Sequence, residues 1–165
     1  MKIVVLIGGG RTGIDFLQSL LDSHPEISQF PGVFYFDEFW PLVKSKKNPE
    51  DIINHFLEKN KNFFDSRLNI IERHYMLGKN KDNFYLVDQE LFKKKFINFF
   101  DEKKFDKINL LKWLHLSYSL ASHENIDQKI IIILHLHHVS RIKVLDGLDF
   151  ECIYTIRDPL ASYTS

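Results

Sequence analysis

The residues best suited to chemistry stand at the two ends of the chain. Near the start, GGGRTGID (residues 8–15) joins an apolar run to a helical pattern. Backbone N–H groups released by such a glycine turn, at the start of a helix, make an anion the default ligand. Gly8, Gly10 and Gly13 satisfy G-x-G-x-x-G, the dinucleotide pattern, with Asp37 placed to be its ribose-binding acid at the end of a second strand. Gly8 and Gly13 also satisfy the opening of G-x-x-x-x-G-K-[ST]. Ile14 and Asp15 then replace the lysine and hydroxyl that would reach phosphate and Mg²⁺, which argues against a magnesium-dependent nucleotide hydrolase. Arg11 and Thr12, a cation and a hydroxyl at the loop tip, point to a terminal phosphate or sulfate. The plainer alternative is an exposed arginine on an ordinary strand-to-helix turn.

At the other end, IRDPLASYTS (residues 156–165) sets Arg157 at a strand exit, Asp-Pro at a helix start and Ser165 eight residues after the arginine. A bidentate guanidinium and a hydroxyl on the same side of that helix suit a phosphomonoester, at the sheet edge where open α/β folds hold ligands. Alternatively, Arg157 simply pairs with Asp158. A further cluster, HLHH (residues 135–138), puts His135 and His137 on one face of a strand. That is a metal-ligand spacing, but no cysteine or acidic residue lies near it in sequence, so no zinc is assigned. His137 and His138 read as core or strand-end histidines.

These residues need a sheet to bring them together. Residues 2–7, KIVVLI, form a continuous β-branched run expected to be a strand buried on both faces. A helix should run from Gly13 to the stop at Pro25, followed by a second strand over 33–36 that completes a βαβ unit. The spacing predicts helices through most of residues 38–125, including the stretch 65–77, with a short strand possible over 83–88. Strands are expected over 129–136 and 150–156, separated by a helix over 139–145 that ends near Gly147. This alternation predicts one α/β domain over residues 1–165, of three α/β/α layers around a central parallel sheet, with a P-loop-like strand-loop-helix at the N-terminus and a helical insertion in the middle.

Composition sets the remaining limits. The 22 Lys and Arg residues balance 22 Asp and Glu, so no global positive field draws the chain to nucleic acid. Lysine-rich pieces such as FKKKF carry apolar residues at helical spacing and read as solvated helix faces. The apolar runs are of strand length, too short for a signal-peptide core or a membrane span, and a cytoplasmic protein is expected. Cys152, the single cysteine, sits among apolar residues and reads as a buried, inert thiol.

Taken together, GGGRTGIDFLQSLLDSHPEI and YTIRDPLASYTS resemble the sulfotransferase family, over about residues 1–40 and 129–165. The resemblance implies transfer of a sulfuryl group from 3′-phosphoadenosine 5′-phosphosulfate to an acceptor hydroxyl or amine of a carbohydrate, lipid, peptide or small alcohol, without a metal. In that family the first loop holds the 5′-phosphosulfate, and Arg11, Thr12 and Gly13 match it, with Gly10, Ile14 and Asp15 in the same loop. Ile14 replaces the usual threonine, leaving only its backbone N–H to donate. As a first-turn acid, Asp15 would interact with the helix dipole. Arg157 and Ser165 match the pair that holds the 3′-phosphate, and His24-Pro25 after the first helix is a further habit of the family. Arg11 would stabilise charge on the leaving 5′-phosphate. The general base would be Glu38, just after the expected second strand, or His135, 22 residues before Arg157. Because the family usually continues through another helical region that completes the adenine pocket, a C-terminally truncated domain is expected, with weak cofactor binding and little turnover. Two alternatives stand beside this reading, an NAD-type Rossmann oxidoreductase and a nucleotide-binding fragment without turnover.

Overall fold

The computed structural model describes residues 1–9, 12–68 and 79–158. Its centre is β1 (Lys2–Gly8), buried from Ile3 to Ile7. β1 is flanked in register by β3 (Ile131–Leu136) and β4 (Phe150–Thr155), and β2 (Ile27–Ser28) extends the sheet beyond β3. The order among the described residues is β2-β3-β1-β4, and every pairing is parallel. A parallel strand between two others has no solvated side, which is why β1 and β3 are almost uninterrupted Ile, Val and Leu.

Alternation along β1 assigns its two faces. Val4 and Leu6 join Ile133 and Ile14 beneath α1 (Ile14–Leu20), with Leu17 and Leu21 packed against them. Ile3, Val5 and Ile7 face the opposite layer, built from α2 (Phe36–Val43), α3 (Pro49–Lys59), α4 (Lys61–Phe64), α5 (Gln89–Phe99) and α6 (Lys107–Ala121). The result is the expected α/β/α arrangement. Side-chain caps begin the longer helices: Asn48 accepts from the Glu50 amide at 3.0 Å, Asp88 from Leu91 at 2.9 Å and Asp106 from Asn109 at 2.8 Å. Each such cap satisfies a backbone donor that the helix itself leaves open, worth about 1 kcal/mol.

The helical layer is held by aromatic packing. Phe30 stacks on Phe63 with ring centroids 5.2 Å apart and also touches Phe34, Phe56 and Tyr118. The Tyr118 hydroxyl, inside this cluster, donates to the Phe63 carbonyl at 2.6 Å, so its polar tip is satisfied where it cannot reach water.

Several local expectations give way to tertiary contacts. Residues 33–36 are not a strand: the second strand is the two-residue β2, immediately after His24-Pro25, and Phe36 already begins α2. The β2 backbone pairs with β3, the amides of Ile130 and Ile131 bonding the Glu26 carbonyl, and Lys129 braces it: the buried ammonium donates to the carbonyls of His24 at 3.1 Å and Ile27 at 2.6 Å and pairs with Glu124 at 2.8 Å. Gly32, at φ 123°, then turns the chain so that Phe34 and Phe36 enter the core. α1 stops at Leu20, short of Pro25, as the amides of Leu21 and Asp22 bond three residues back and Ser23 adopts φ 59°. The 83–88 stretch is not a strand; Leu86 makes an isolated antiparallel bridge to Asp65. Of 65–77, Asp65 makes that bridge, Ser66–Leu68 is a 3₁₀ turn and residues 69–77 lie outside the described residues. The helix expected over Val139–Leu145 is present, as a 3₁₀ helix, with Gly147 at φ 86° just beyond it. Cys152 is exposed, not buried, because β4 is the outer strand and its side chains are largely uncovered on both faces.

No helix among the described residues is long and apolar enough to cross a membrane.

Candidate functional site

The glycine loop leaves β1 at the C-terminal edge of the sheet, between its two neighbours. On one side Gly8 is the register partner of Thr155 at the end of β4, and on the other Leu6 is the partner of His135 near the end of β3. Thr155 donates its hydroxyl proton to Thr12 Oγ1 at 2.8 Å, and Thr12 donates to the Gly9 carbonyl at 2.8 Å. This hydroxyl relay ties the loop to β4. It also requires glycine at position 8, where a methyl group would run into both threonine hydroxyls. Gly13 carries φ 81°, a left-handed conformation that glycine adopts at little cost, and so opens α1 directly beneath the loop.

Thr155 was not singled out in the sequence. Its only signal there is position, as the last strand residue before Ile156-Arg157-Asp158. Arg157 follows it by two residues, partly buried, on the segment that leaves β4 beside the loop. Gly10, Arg11 and Ser165 lie outside the described residues, so the geometry defined here is that of Thr12, Gly13, Ile14, Asp15 and Arg157. Among these, Ile14 turns its side chain into the small core under α1, while Asp15 is exposed.

His135 lies on the other flank of the loop. Its ring is buried, and Nδ1 lies 2.7 Å from Oε1 of Gln18, a buried residue of α1. The Gln18 amide is oriented by its other end: Nε2 donates to the carbonyls of Phe30 at 2.9 Å and Gly32 at 3.4 Å. Oε1 is therefore an acceptor, Nδ1 of His135 must carry the proton, and Nε2 is left with a lone pair. That Nε2 is buried and has no hydrogen-bond partner among the described residues. Burial pushes the His135 pKa down to about 4, with Asp15 acting in the opposite direction and His137 adding to the depression. The ring is thus neutral at physiological pH. Gln18 is a functional candidate that sequence reasoning missed, because a glutamine on the buried face of a short helix carries no local signal.

Asp15 also corrects the reading of the histidine cluster. No acid is near His135 and His137 in sequence, yet the fold brings Asp15 to 3.7 Å from His135 Nδ1, and the donor atoms of the three residues lie within 4.8 Å of one another. Nδ1 of His135 is already engaged by Gln18.

Glu38 occupies a different setting. It sits in the first turn of α2, and Arg141 reaches across to it at 2.8 Å while also binding both oxygens of Asp37 at 2.9 and 2.7 Å. Arg141 rests over the Tyr35 ring, 4.5 Å from its centroid. The two carboxylates hold the guanidinium pKa above its usual value, Glu38 contributing most. Asp37, expected at a strand end and free for a ribose, is instead a helix residue already occupied by a cation. Arg141 lines a cleft of about 600 Å³ with Asp37, Trp40, Lys107, His138 and Lys143; a second cleft, of about 260 Å³, is lined by Phe34, Tyr35, Glu38, Phe39 and His55.

Comparison of the chain with protein-family models, with curated proteins and with solved structures finds no match in any of the three.

Proposed function

We propose that this chain binds 3′-phosphoadenosine 5′-phosphosulfate and transfers its sulfuryl group to an acceptor hydroxyl or amine. The observation that carries the reading is the register pairing of Gly8 with Thr155. It puts the start of the glycine loop and the Arg157 segment side by side at one sheet edge, as a ligand with phosphates on the 5′ and 3′ oxygens of one ribose requires. In this reading the loop and Arg11 hold the 5′-phosphosulfate, while Arg157 and Ser165 hold the 3′-phosphate. Sulfuryl transfer is an in-line displacement, so fixed cations at the leaving phosphate and a positioned acceptor supply most of the acceleration.

Of the two candidate bases, the local chemistry favours His135. It is neutral and offers an unused lone pair, on the strand adjoining the loop. Glu38 is exposed, and its Oε1 already accepts from the Arg141 guanidinium. The NAD-type alternative is weakened because its ribose acid, Asp37, is bound to the same arginine.

Calorimetric titration with 3′,5′-adenosine bisphosphate, beside NAD and ATP, tests the proposal. The bisphosphate should bind at least about tenfold more tightly than either, a difference of about 1.4 kcal/mol. Arg157→Ala and Arg11→Ala should each abolish that preference. Equal or tighter binding of NAD, or a preference unaffected by Arg157→Ala, would overturn it.

A further inference from the structure

We infer that Gln18 is a positioning residue for His135: it clamps Nδ1–H and thereby presents Nε2 as the nitrogen that accepts the acceptor's proton. The inference deepens the sulfuryl-transfer reading and rests on it for the chemistry. Its geometry stands independently. Two backbone carbonyls, of Phe30 and Gly32, fix which end of the Gln18 amide faces the ring, so the tautomer of His135 follows from donors and acceptors alone.

The environment adds a reason for glutamine in place of a carboxylate. A buried anion against Nδ1 would stabilise the imidazolium and fill the lone pair at Nε2 with a proton before any acceptor arrived. Neutral Gln18 orients the ring without that charge. Among the described residues, the ionisable groups facing the ring are Asp15 from α1 and His137 from the end of β3. Asp15, 3.7 Å from Nδ1, favours the imidazolium, but it is exposed and water screens it, so its effect is smaller than that of a buried anion. An unpartnered buried acceptor such as Nε2 costs about 1–3 kcal/mol, a cost removed when a donor from a bound acceptor molecule reaches it.

In the transfer step the acceptor O–H proton passes to Nε2 as the acceptor oxygen bonds to sulfur and the bond from sulfur to the 5′-phosphate oxygen breaks. The products are the sulfated acceptor, 3′,5′-adenosine bisphosphate and an imidazolium on His135, which then returns its proton to water.

Long-range ¹⁵N–¹H NMR of the imidazole rings reads the tautomer without cofactor or turnover. The His135 signals are identified among the eight histidines by their loss in His135→Gln. At pH 7 the unsubstituted chain should show Nδ1 protonated and Nε2 bare; a proton on Nε2, alone or in an imidazolium, would overturn the inference. Gln18→Glu should keep the tautomer and raise the titration midpoint of His135, and an unmoved midpoint would count against it. Gln18→Met should mix the tautomers and lower kcat by at least about tenfold with KM for the phosphosulfate unchanged. A Gln18→Met chain that kept Nδ1–H alone would refute the clamp, and one that failed to fold would leave the first two measurements decisive. Should the bisphosphate fail to bind while the tautomer is as stated, the sulfuryl-transfer reading falls and the Gln18–His135 clamp stands.

Discussion

Mild acid should destabilise this fold between pH 7 and 5. His115, on α6, is wholly buried against Phe30, with ring centroids 4.2 Å apart, and neither of its ring nitrogens has a hydrogen-bond partner among the described residues. Burial pushes its pKa from 6.5 to about 3. The unfolded chain therefore takes up a proton below about pH 6.5 that the folded chain refuses until about pH 3. Stability is complete above the first value and falls through that window as pH drops. Integrating the linkage relation, His115 costs about 2 kcal/mol at pH 5 and about 5 kcal/mol below pH 3. His135, depressed to about 4, adds about 2 kcal/mol at pH 5. Against the roughly 5–15 kcal/mol typical of a domain, a combined loss of about 4 kcal/mol is large. Urea unfolding followed by circular dichroism at pH 7, 6 and 5 measures it. His115→Met, which removes both unpartnered nitrogens at similar volume, should abolish about half of the pH dependence and leave the protein at least as stable at pH 7. Equal unfolding free energies at pH 7 and 5, or a full pH dependence surviving in His115→Met, would refute the reasoning.

Two further substitutions probe the frame of the site. Gly8→Ala should cost about 1–3 kcal/mol in urea unfolding, since its methyl group meets the Thr12 and Thr155 hydroxyls, and adding Thr155→Ala should recover part of the loss; no loss would mean the loop is not packed against β4 as described. Lys129→Met should destabilise by about 2–4 kcal/mol and speed amide exchange at Ile27 and Ser28, because it removes the ammonium donor from the carbonyls of Ile27 and of His24, which keeps only the Ile27 amide, and leaves Glu124 without this cation; exchange unchanged at β2 would show that the strand does not depend on this clamp.

How much was legible in the sequence varied with the range of the forces involved. β1, β3, β4 and the α/β layering could be read because long β-branched runs and helical spacing report burial directly, residue by residue. The second strand could not. Its two residues are strand because their backbone pairs with β3 and Lys129, both about a hundred positions away, and no local pattern in EIS announces that. Cys152 misled for a related reason: FECIYTI has the composition of an interior strand, but burial depends on which strand has a neighbour, and β4 has one only on the β1 side among the described residues. The candidate bases divide the same way. Glu38 and Asp37 looked available until Arg141, from beyond β3, claimed both.

By itself the sequence determined the residue types at the site: glycines that admit a close-packed loop, arginines at two strand exits, and histidines spaced to share a strand face. These are properties of short segments, set by sterics and periodicity. Only the tertiary structure decided their company. It set Gly8 opposite Thr155, brought Asp15 beside a histidine pair that had no acid near it, and put Gln18 against Nδ1 of His135. The physical reason is that a hydrogen bond acts over about 3 Å of space whatever the separation along the chain. Which proton His135 carries is therefore written in the packing of α1 against β3, and nowhere in the order of the residues.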